Sequence, residues 1–221
     1  MAKKLTQNNL FFVVGITTIL ILTYSMIFIF RHIFIEDYDL IYPSKLYPWI
    51  LVVPQIFMLV FSIIYLKNLR QLFLNVKLIN YFFAFLFMFF NLSFYWIYAQ
   101  IVSFLNFQIL YLPNISKYIL GDGNFIFLNI FAICVWVPAI EEIFFRGLIL
   151  KRFNEFSGKI FAVIFSSFLF CIVHGDVGLL IPVFFSSILI SILFLMSKSL
   201  LPCIMLHSIQ NLFVCIVATF A

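Results

Sequence analysis

Residues 137–147 read VPAIEEIFFRG, which places two carboxylates and a guanidinium between long apolar runs. The charged side chains belong to Glu141, Glu142 and Arg146. Each ionisable side chain near the middle of a membrane helix costs about 2.5–3.5 kcal/mol on insertion scales. Three such residues so close together are expected to have partners and a function, and they make this stretch the centre of the predicted fold.

The composition of the whole chain is that of an integral membrane protein. Of its 221 residues, 66% are apolar and 10% are charged, and the mean hydropathy is +1.21. These values lie far from soluble-domain usage and leave no room for a soluble domain of ordinary size. We therefore expect one polytopic domain over residues 1–221 in the lipid bilayer. The formal charge of +5 forms no basic stripe, so a nucleic-acid partner is not expected.

Apolar runs of about 20 residues, the length that crosses a bilayer as helix, predict an all-α protein with about seven transmembrane helices. The runs cover residues 10–30, 49–66, 79–104, 125–150, 160–174, 179–196 and 201–220. Cutting the stretch 79–112 into two short spans would give eight. The first run follows MAKK, but it is too long for a signal peptide and no small-residue cleavage site follows it, so we expect it to be retained.

The distribution of Lys and Arg predicts the orientation, because these residues accumulate in cytoplasmic loops. Seven spans with a cytoplasmic N-terminus leave only Arg31, Lys45 and Lys117 on the outer side. Eight spans would scatter the basic residues almost evenly. The charge pattern therefore predicts an integral protein of the cell membrane with its N-terminus in the cytoplasm.

Four cysteines lie inside the predicted spans and form no CxxC pair: Cys134, Cys171, Cys203 and Cys215. Neither a disulfide framework nor a metal knuckle is expected from this pattern. Free cysteine is commonly a small buried hydrophobic residue, and that role is predicted here.

The charged residues of the opening stretch divide into two groups. Glu142 and Arg146 are four residues apart and can pair on one helical face. Glu141 projects about 100° away and lacks that partner. Pro138 removes a backbone hydrogen bond to the residue four before it, which a membrane tolerates where protein or water satisfies the freed carbonyl. The pair can simply hold helices together, whereas Glu141 must find a partner elsewhere.

Three histidines are available as partners. His32 lies at the outer end of the first span and is predicted to be interfacial, while His174 closes the fifth span. His207 opens the seventh and shares a helical face with Asn211, one turn on. A lone membrane histidine can simply hydrogen-bond a neighbouring helix. Polar groups on three otherwise apolar helices together favour a shared site. Asp176 either orients His174 or faces water.

Depth supports convergence only in part. Glu141 lies about 15 Å from Lys151 and His207 about 13 Å from Lys198, but His174 lies about 22 Å from Lys159. A later helix start, a tilt or a short reentrant hairpin would remove the difference.

These residues form three motifs in order. They are EExxxR, as Glu141, Glu142 and Arg146; FxxxH, as Phe170 and His174; and HxxxN, as His207 and Asn211. In them the chain resembles the family of CAAX-prenyl proteases and bacteriocin-processing (Abi) proteins, the glutamic intramembrane endopeptidases. The resemblance covers a motif-bearing core at about residues 125–220 and implies about eight helices around a polar catalytic cavity.

The resemblance also implies a role for each residue. Peptide hydrolysis needs an activated water and donors for the developing oxyanion. Glu141 would be the general base, and His174 would position and polarise the water. His207 and Asn211 would form the oxyanion hole. Of the remaining motif residues, Glu142 and Arg146 would fix the helix and the local electric field, and Phe170 would pack near the site. No cofactor is implied.

Three functions remain open at this stage. The first is an intramembrane endopeptidase acting on a membrane-presented peptide or small protein, such as a bacteriocin, leader or pheromone precursor, or a CAAX-like tail. The second is a non-hydrolytic membrane protein that gives immunity to a bacteriocin. The third is a zinc hydrolase with His174, His207 and Glu141 as ligands, although the chain lacks HExxH. The sequence sets no oligomeric state.

Overall fold

The computed structural model describes residues 2–30, 52–74, 76–113, 120 and 125–220. Within these ranges the chain forms seven long helices and no strand, which confirms the all-α prediction. The positions predicted for Arg31, His32, Lys45 and Lys117 lie outside the described residues.

The seven helices correspond one to one with the predicted apolar runs. They are α1 (Ala2–Phe30), α2 (Val52–Tyr65), α3 (Leu78–Leu105), α4 (Phe125–Ser157), α5 (Lys159–Ile172), α6 (Val177–Ser197) and α7 (Leu201–Phe220). Short 3₁₀ helices cover Leu69–Phe73 and Gln108–Leu110. Helix α3 is one uninterrupted helix of 28 residues, so the division of residues 79–112 into two spans is not found.

Four of the described helices are long and apolar enough to cross a membrane, namely α1, α3, α4 and α6. The other three, α2, α5 and α7, are shorter apolar helices. Large apolar side chains cover much of the outer surface, including Phe104 and Phe127 at 88% and 79% exposure. A surface of this kind fits lipid rather than water. The protein is an integral membrane protein.

Helix α4 is longer than the sequence predicted. The predicted span ended at residue 150, but the helix continues through Lys151 and Arg152 to Ser157. Charged residues with long side chains are good helix formers, so they do not stop it. Gly158, at φ +82°, ends the helix and leads directly into α5.

This extension removes the difference in depth between Glu141 and His174. Glu141 precedes Gly158 by 17 residues and His174 follows it by 16, so both lie about 25 Å from the α4–α5 junction. Helix α5 begins at Lys159, so a later start is not the explanation. Counting Glu141 from Lys151 placed it too near the end of its helix.

Two stretches of α4 are π-helical, Ala132–Trp136 and Ile143–Leu150. In the first, the Val137 N–H donates to the Ala132 carbonyl. The next pair in that register joins Pro138 to the Ile133 carbonyl, but proline has no N–H. The freed carbonyl is therefore that of Ile133 and not that of the residue four before the proline. The Asn211 side chain of α7 donates to it at 2.8 Å.

The second π-helical stretch is the centre of the molecule, since all eight of its residues are buried. Ser166 of α5 donates its hydroxyl to the Phe145 carbonyl at 3.0 Å. Leu66, Leu72 and Leu200 surround Gly147, where a Cβ would lie 3.2–3.6 Å from their methyl groups. Side chains from three other parts of the chain therefore approach closely at Gly147.

The contact at Gly147 predicts how stability depends on side-chain size. Gly147→Leu should lower the free energy of unfolding by about 1–3 kcal/mol, because the pocket cannot hold the extra methylenes. Gly147→Ala should be close to neutral, since the better helix propensity of alanine offsets the tight contact with Leu72. Thermal unfolding of both variants in detergent measures the difference. Equal stability of the two variants would show that the surrounding leucines do not limit this position.

Candidate active site

A buried ion pair joins two turns of α4 and fixes the neighbouring helix. Arg146 Nη1 donates to Glu142 Oε1 at 2.9 Å, and both side chains are fully buried. The other terminal nitrogen of Arg146, Nη2, donates to the hydroxyl of Ser187 in α6 at 2.8 Å and to its carbonyl at 3.3 Å. The pairing predicted from the four-residue spacing is present, and it also ties α4 to α6.

His207 of α7 contacts the same carboxylate. Its Nδ1 lies 2.9 Å from Glu142 Oε1, the oxygen that also accepts from Arg146. A carboxylate oxygen that accepts from a guanidinium is ionised, so Nδ1 of His207 is assigned as the donor. The bond fixes the tautomer of the ring and leaves Nε2 facing away from Glu142.

Glu141 lies on the other side of His207. Its Oε2 is 3.9 Å from His207 Nε2, which is beyond hydrogen-bond distance. The side chain of Glu141 is 13% exposed, whereas that of Glu142 is completely buried. The His207 imidazole therefore lies between two carboxylates. Glu142 is held in the ion pair with Arg146, whereas Glu141 is partly exposed and lies outside that pair.

His174 is held by its own motif. Its Nδ1 lies 2.8 Å from the carbonyl of Phe170, one turn earlier in α5. A carbonyl oxygen only accepts, so Nδ1 carries the hydrogen and Nε2 of the neutral ring is an acceptor. Asp176 instead caps α6 by accepting from the Gly178 N–H at 2.8 Å. The Nδ1 of His174 therefore has a partner other than Asp176.

The Phe170 ring connects the motifs of three helices. Its centroid lies 4.8 Å from the His174 ring and 5.7 Å from the His207 ring. The guanidinium carbon of Arg146 lies 4.4 Å from the same centroid, within cation–π distance. Because both imidazoles pack on one phenylalanine, the second and third motifs lie beside the first.

Asn211 of α7 bonds the backbone of α4. Its Nδ2 bonds the Ile133 carbonyl at 2.8 Å, two turns before Glu141 on α4. An amide nitrogen carries two hydrogens, so one donor remains after this bond. The structure thus brings Asn211 to the same pair of helices as His207 and also gives it a structural partner.

Sequence reasoning missed two groups that support the site. Ser187 holds Arg146, and Ser186 donates to Gln210 Oε1 of α7 at 3.0 Å. The available signal was a pair of small hydroxyl residues within an apolar membrane helix, where such side chains commonly bond a neighbouring helix.

No metal-binding cluster occurs among the residues that the structure describes. Among these residues, no three His, Cys, Asp or Glu side chains lie close enough together to hold an ion. The described part of the chain therefore offers no ligand set for the zinc alternative.

Comparison with known proteins identifies the segment that contains this site. Residues 123–213 match the family model described as type II CAAX prenyl endopeptidase, Rce1-like. No curated protein and no solved structure matches the chain. The matched segment contains all three motifs, so the predicted resemblance to CAAX-prenyl proteases is confirmed over these residues.

The buried ion pair predicts a strong dependence of stability on Arg146. Arg146→Met should lower the free energy of unfolding by about 3–5 kcal/mol, because it leaves the Glu142 charge buried without its cation. Adding Glu142→Gln should recover most of this loss, since replacing a whole buried pair is often nearly neutral. Thermal unfolding of the single and double variants in detergent measures both effects.

Arg152 provides the matched control for this experiment. Its side chain is 37% exposed and lies 4.0 Å from Glu155, so Arg152→Met should change stability by less than about 1 kcal/mol. Equal effects at Arg146 and Arg152 would contradict the role given to the buried pair.

Proposed function

Because residues 123–213 match the model of the CAAX prenyl endopeptidase family, a family of membrane proteases, we propose that this protein is an intramembrane endopeptidase of the glutamic type. The observation that carries the proposal is the position of Glu141, whose Oε2 lies 3.9 Å from His207 Nε2. At this distance a water held by Glu141 and the oxygen of the peptide carbonyl that it attacks, near His207 Nε2, would lie side by side.

In the proposed reaction Glu141 takes a proton from this water as its oxygen attacks the peptide carbonyl. The same proton is then given to the amine that leaves. His174 Nε2, an acceptor in the neutral ring, would hold the second hydrogen of the water and so orient its lone pair. Each of these steps uses an atom that the Phe170 and Glu142 contacts leave unoccupied.

Two donors are proposed for the oxyanion. Asn211 would supply the amide hydrogen that its bond to Ile133 leaves over. His207 would supply the second donor from Nε2 when its ring carries a hydrogen on both nitrogens. Donors fixed before the reaction stabilise the tetrahedral intermediate without having to reorient.

The different surroundings of Glu141 and Glu142 favour catalysis over a purely structural role for the polar cluster. Glu142, Arg146 and Ser187 already join α4 to α6 through buried bonds. Glu141 is the more exposed carboxylate and is not needed for that junction. An ionisable residue retained at membrane depth without a structural task is expected to be functional.

The substrate proposed is a peptide or small protein presented at the membrane, with a bacteriocin, leader or pheromone precursor favoured over a prenylated tail. We also propose that residues 1–221 form one domain, because the apolar composition leaves no room for a soluble one. The distribution of Lys and Arg supports a cytoplasmic N-terminus. The bond from Asn211 to Ile133 favours the second candidate, a non-hydrolytic immunity protein, because it gives Asn211 a structural use.

Replacing Glu141 tests the reaction directly. Glu141→Gln should reduce turnover of a cleaved precursor by at least about 100-fold, because glutamine keeps the size of the side chain but cannot accept the proton. Folding and membrane insertion should stay normal. Cleavage by membranes that contain wild type or variant is followed by mass spectrometry, in the presence and absence of a chelator.

Glu155→Gln is the matched control, because the Glu155 side chain is 54% exposed. This variant should cleave the precursor at the wild-type rate. Equal turnover of Glu141→Gln and wild type would remove Glu141 from the mechanism. Loss of wild-type cleavage on chelation would support the zinc alternative. Bacteriocin resistance retained by Glu141→Gln would support the immunity function.

Asn211→Ala separates the two uses of this amide. If Asn211 stabilises the oxyanion, kcat should fall by about 100-fold to 1000-fold. Loss of the bond to Ile133 should lower the free energy of unfolding by about 1–3 kcal/mol as well. Turnover and thermal unfolding are measured on the same preparation. Lower stability with an unchanged kcat would assign Asn211 to the scaffold alone.

A further inference from the structure

Two cysteines that the proposed reaction does not use lie in contact. Cys134 belongs to the first π-helical stretch of α4 and Cys215 to α7, 81 positions later in the chain. Their sulfur atoms are 3.9 Å apart, and the two residues are 7% and 5% exposed. Nothing in their sequence spacing indicates this pairing.

The backbone around the pair holds the two helices together. Asn211, one turn before Cys215, donates to the carbonyl of Ile133, the residue directly before Cys134. The hydrogen bond and the sulfur contact are therefore successive points of one junction between α4 and α7. Formation of a disulfide would shorten the distance between the two sulfur atoms from 3.9 Å to about 2.05 Å.

The other two cysteines have different surroundings. All four lie in the described ranges, and all four are free thiols. Cys171 donates to the Phe168 carbonyl at 3.2 Å, and Cys203 contacts the carbonyls of Ser199 and Ile190 at 3.6 Å and 3.7 Å. Contact between two thiols is a property of Cys134 and Cys215.

We propose that Cys134 and Cys215 are a disulfide-forming pair whose oxidation locks α7 to α4 beside Asn211. The oxidant is an apolar disulfide, because the pair lies in an apolar cluster with Ile130 and Ile133. One protein thiolate attacks the disulfide and releases a thiol, and the second attacks the mixed disulfide and releases another. Two protein S–H bonds are lost and one S–S bond forms, while the oxidant takes up both electrons and both protons.

The test treats the purified full-length protein, in detergent, with dithiodipyridine, a small apolar disulfide. Wild type should release two thiopyridones per protein from this pair and lose the mass of two hydrogens. Peptide mapping without reductant should join the Cys134 and Cys215 peptides and leave Cys171 and Cys203 unlinked. Cys134→Ser and Cys215→Ser should each stop at a pyridyl adduct on the remaining cysteine of the pair.

The locking of the helices has its own readout. Oxidised wild type should unfold at a temperature about 5–10 °C higher than the reduced protein, because the bond closes a long loop in the unfolded chain. Reductant should reverse the shift, and neither serine variant should show it. This result does not depend on proteolytic activity, so a negative result would not contradict the proposed function.

Three results would overturn the proposal. One is the retention of separate pyridyl adducts on both cysteines of wild type. Another is the absence of any linked peptide under conditions in which the denatured protein forms it. The third is an identical unfolding temperature for the oxidised and reduced protein, which would show that the bond does not restrain the two helices.

Discussion

A single buried oxygen organises the described part of the protein. Glu142 Oε1 accepts from Arg146 and from His207, each at 2.9 Å. Through these bonds and the contact of Arg146 with Ser187, helices α4, α6 and α7 meet at one point. Burial of ionised groups is costly unless they have partners, and this cluster supplies partners for Glu142 Oε1 and for both terminal nitrogens of Arg146. The apolar packing around it would accept many helix arrangements, whereas the charged cluster is satisfied by few.

Two adjacent glutamates have different environments because the helix turns by about 100° between them. Glu142 faces Arg146 and His207 and has no exposed surface, while Glu141 remains accessible and at 3.9 Å from the imidazole. Glu142 fixes the tautomer of His207, and this decides which ring nitrogen faces Glu141. The structural carboxylate therefore prepares the site in which the reactive one is proposed to work.

The sequence predicted the parts of the fold that depend on local pattern. Helix positions followed from the length of apolar runs, and the pairing of Glu142 with Arg146 followed from their spacing. The end of α4 was missed because Lys151 and Arg152 looked like a membrane boundary, whereas the conformation of Gly158 decides it. Contacts between distant helices, such as that of Cys134 with Cys215, depend on packing and leave no periodic trace in the chain.

The backbone N–H that is missing at Pro138 of α4 links this residue to Asn211 of α7. Pro138 leaves the Ile133 carbonyl without a backbone donor, and the amide of Asn211 replaces the missing N–H. In a lineage that replaced the proline, the restored N–H would compete for that carbonyl and relax the constraint on the amide. Substitutions at the two positions are therefore expected to accumulate jointly.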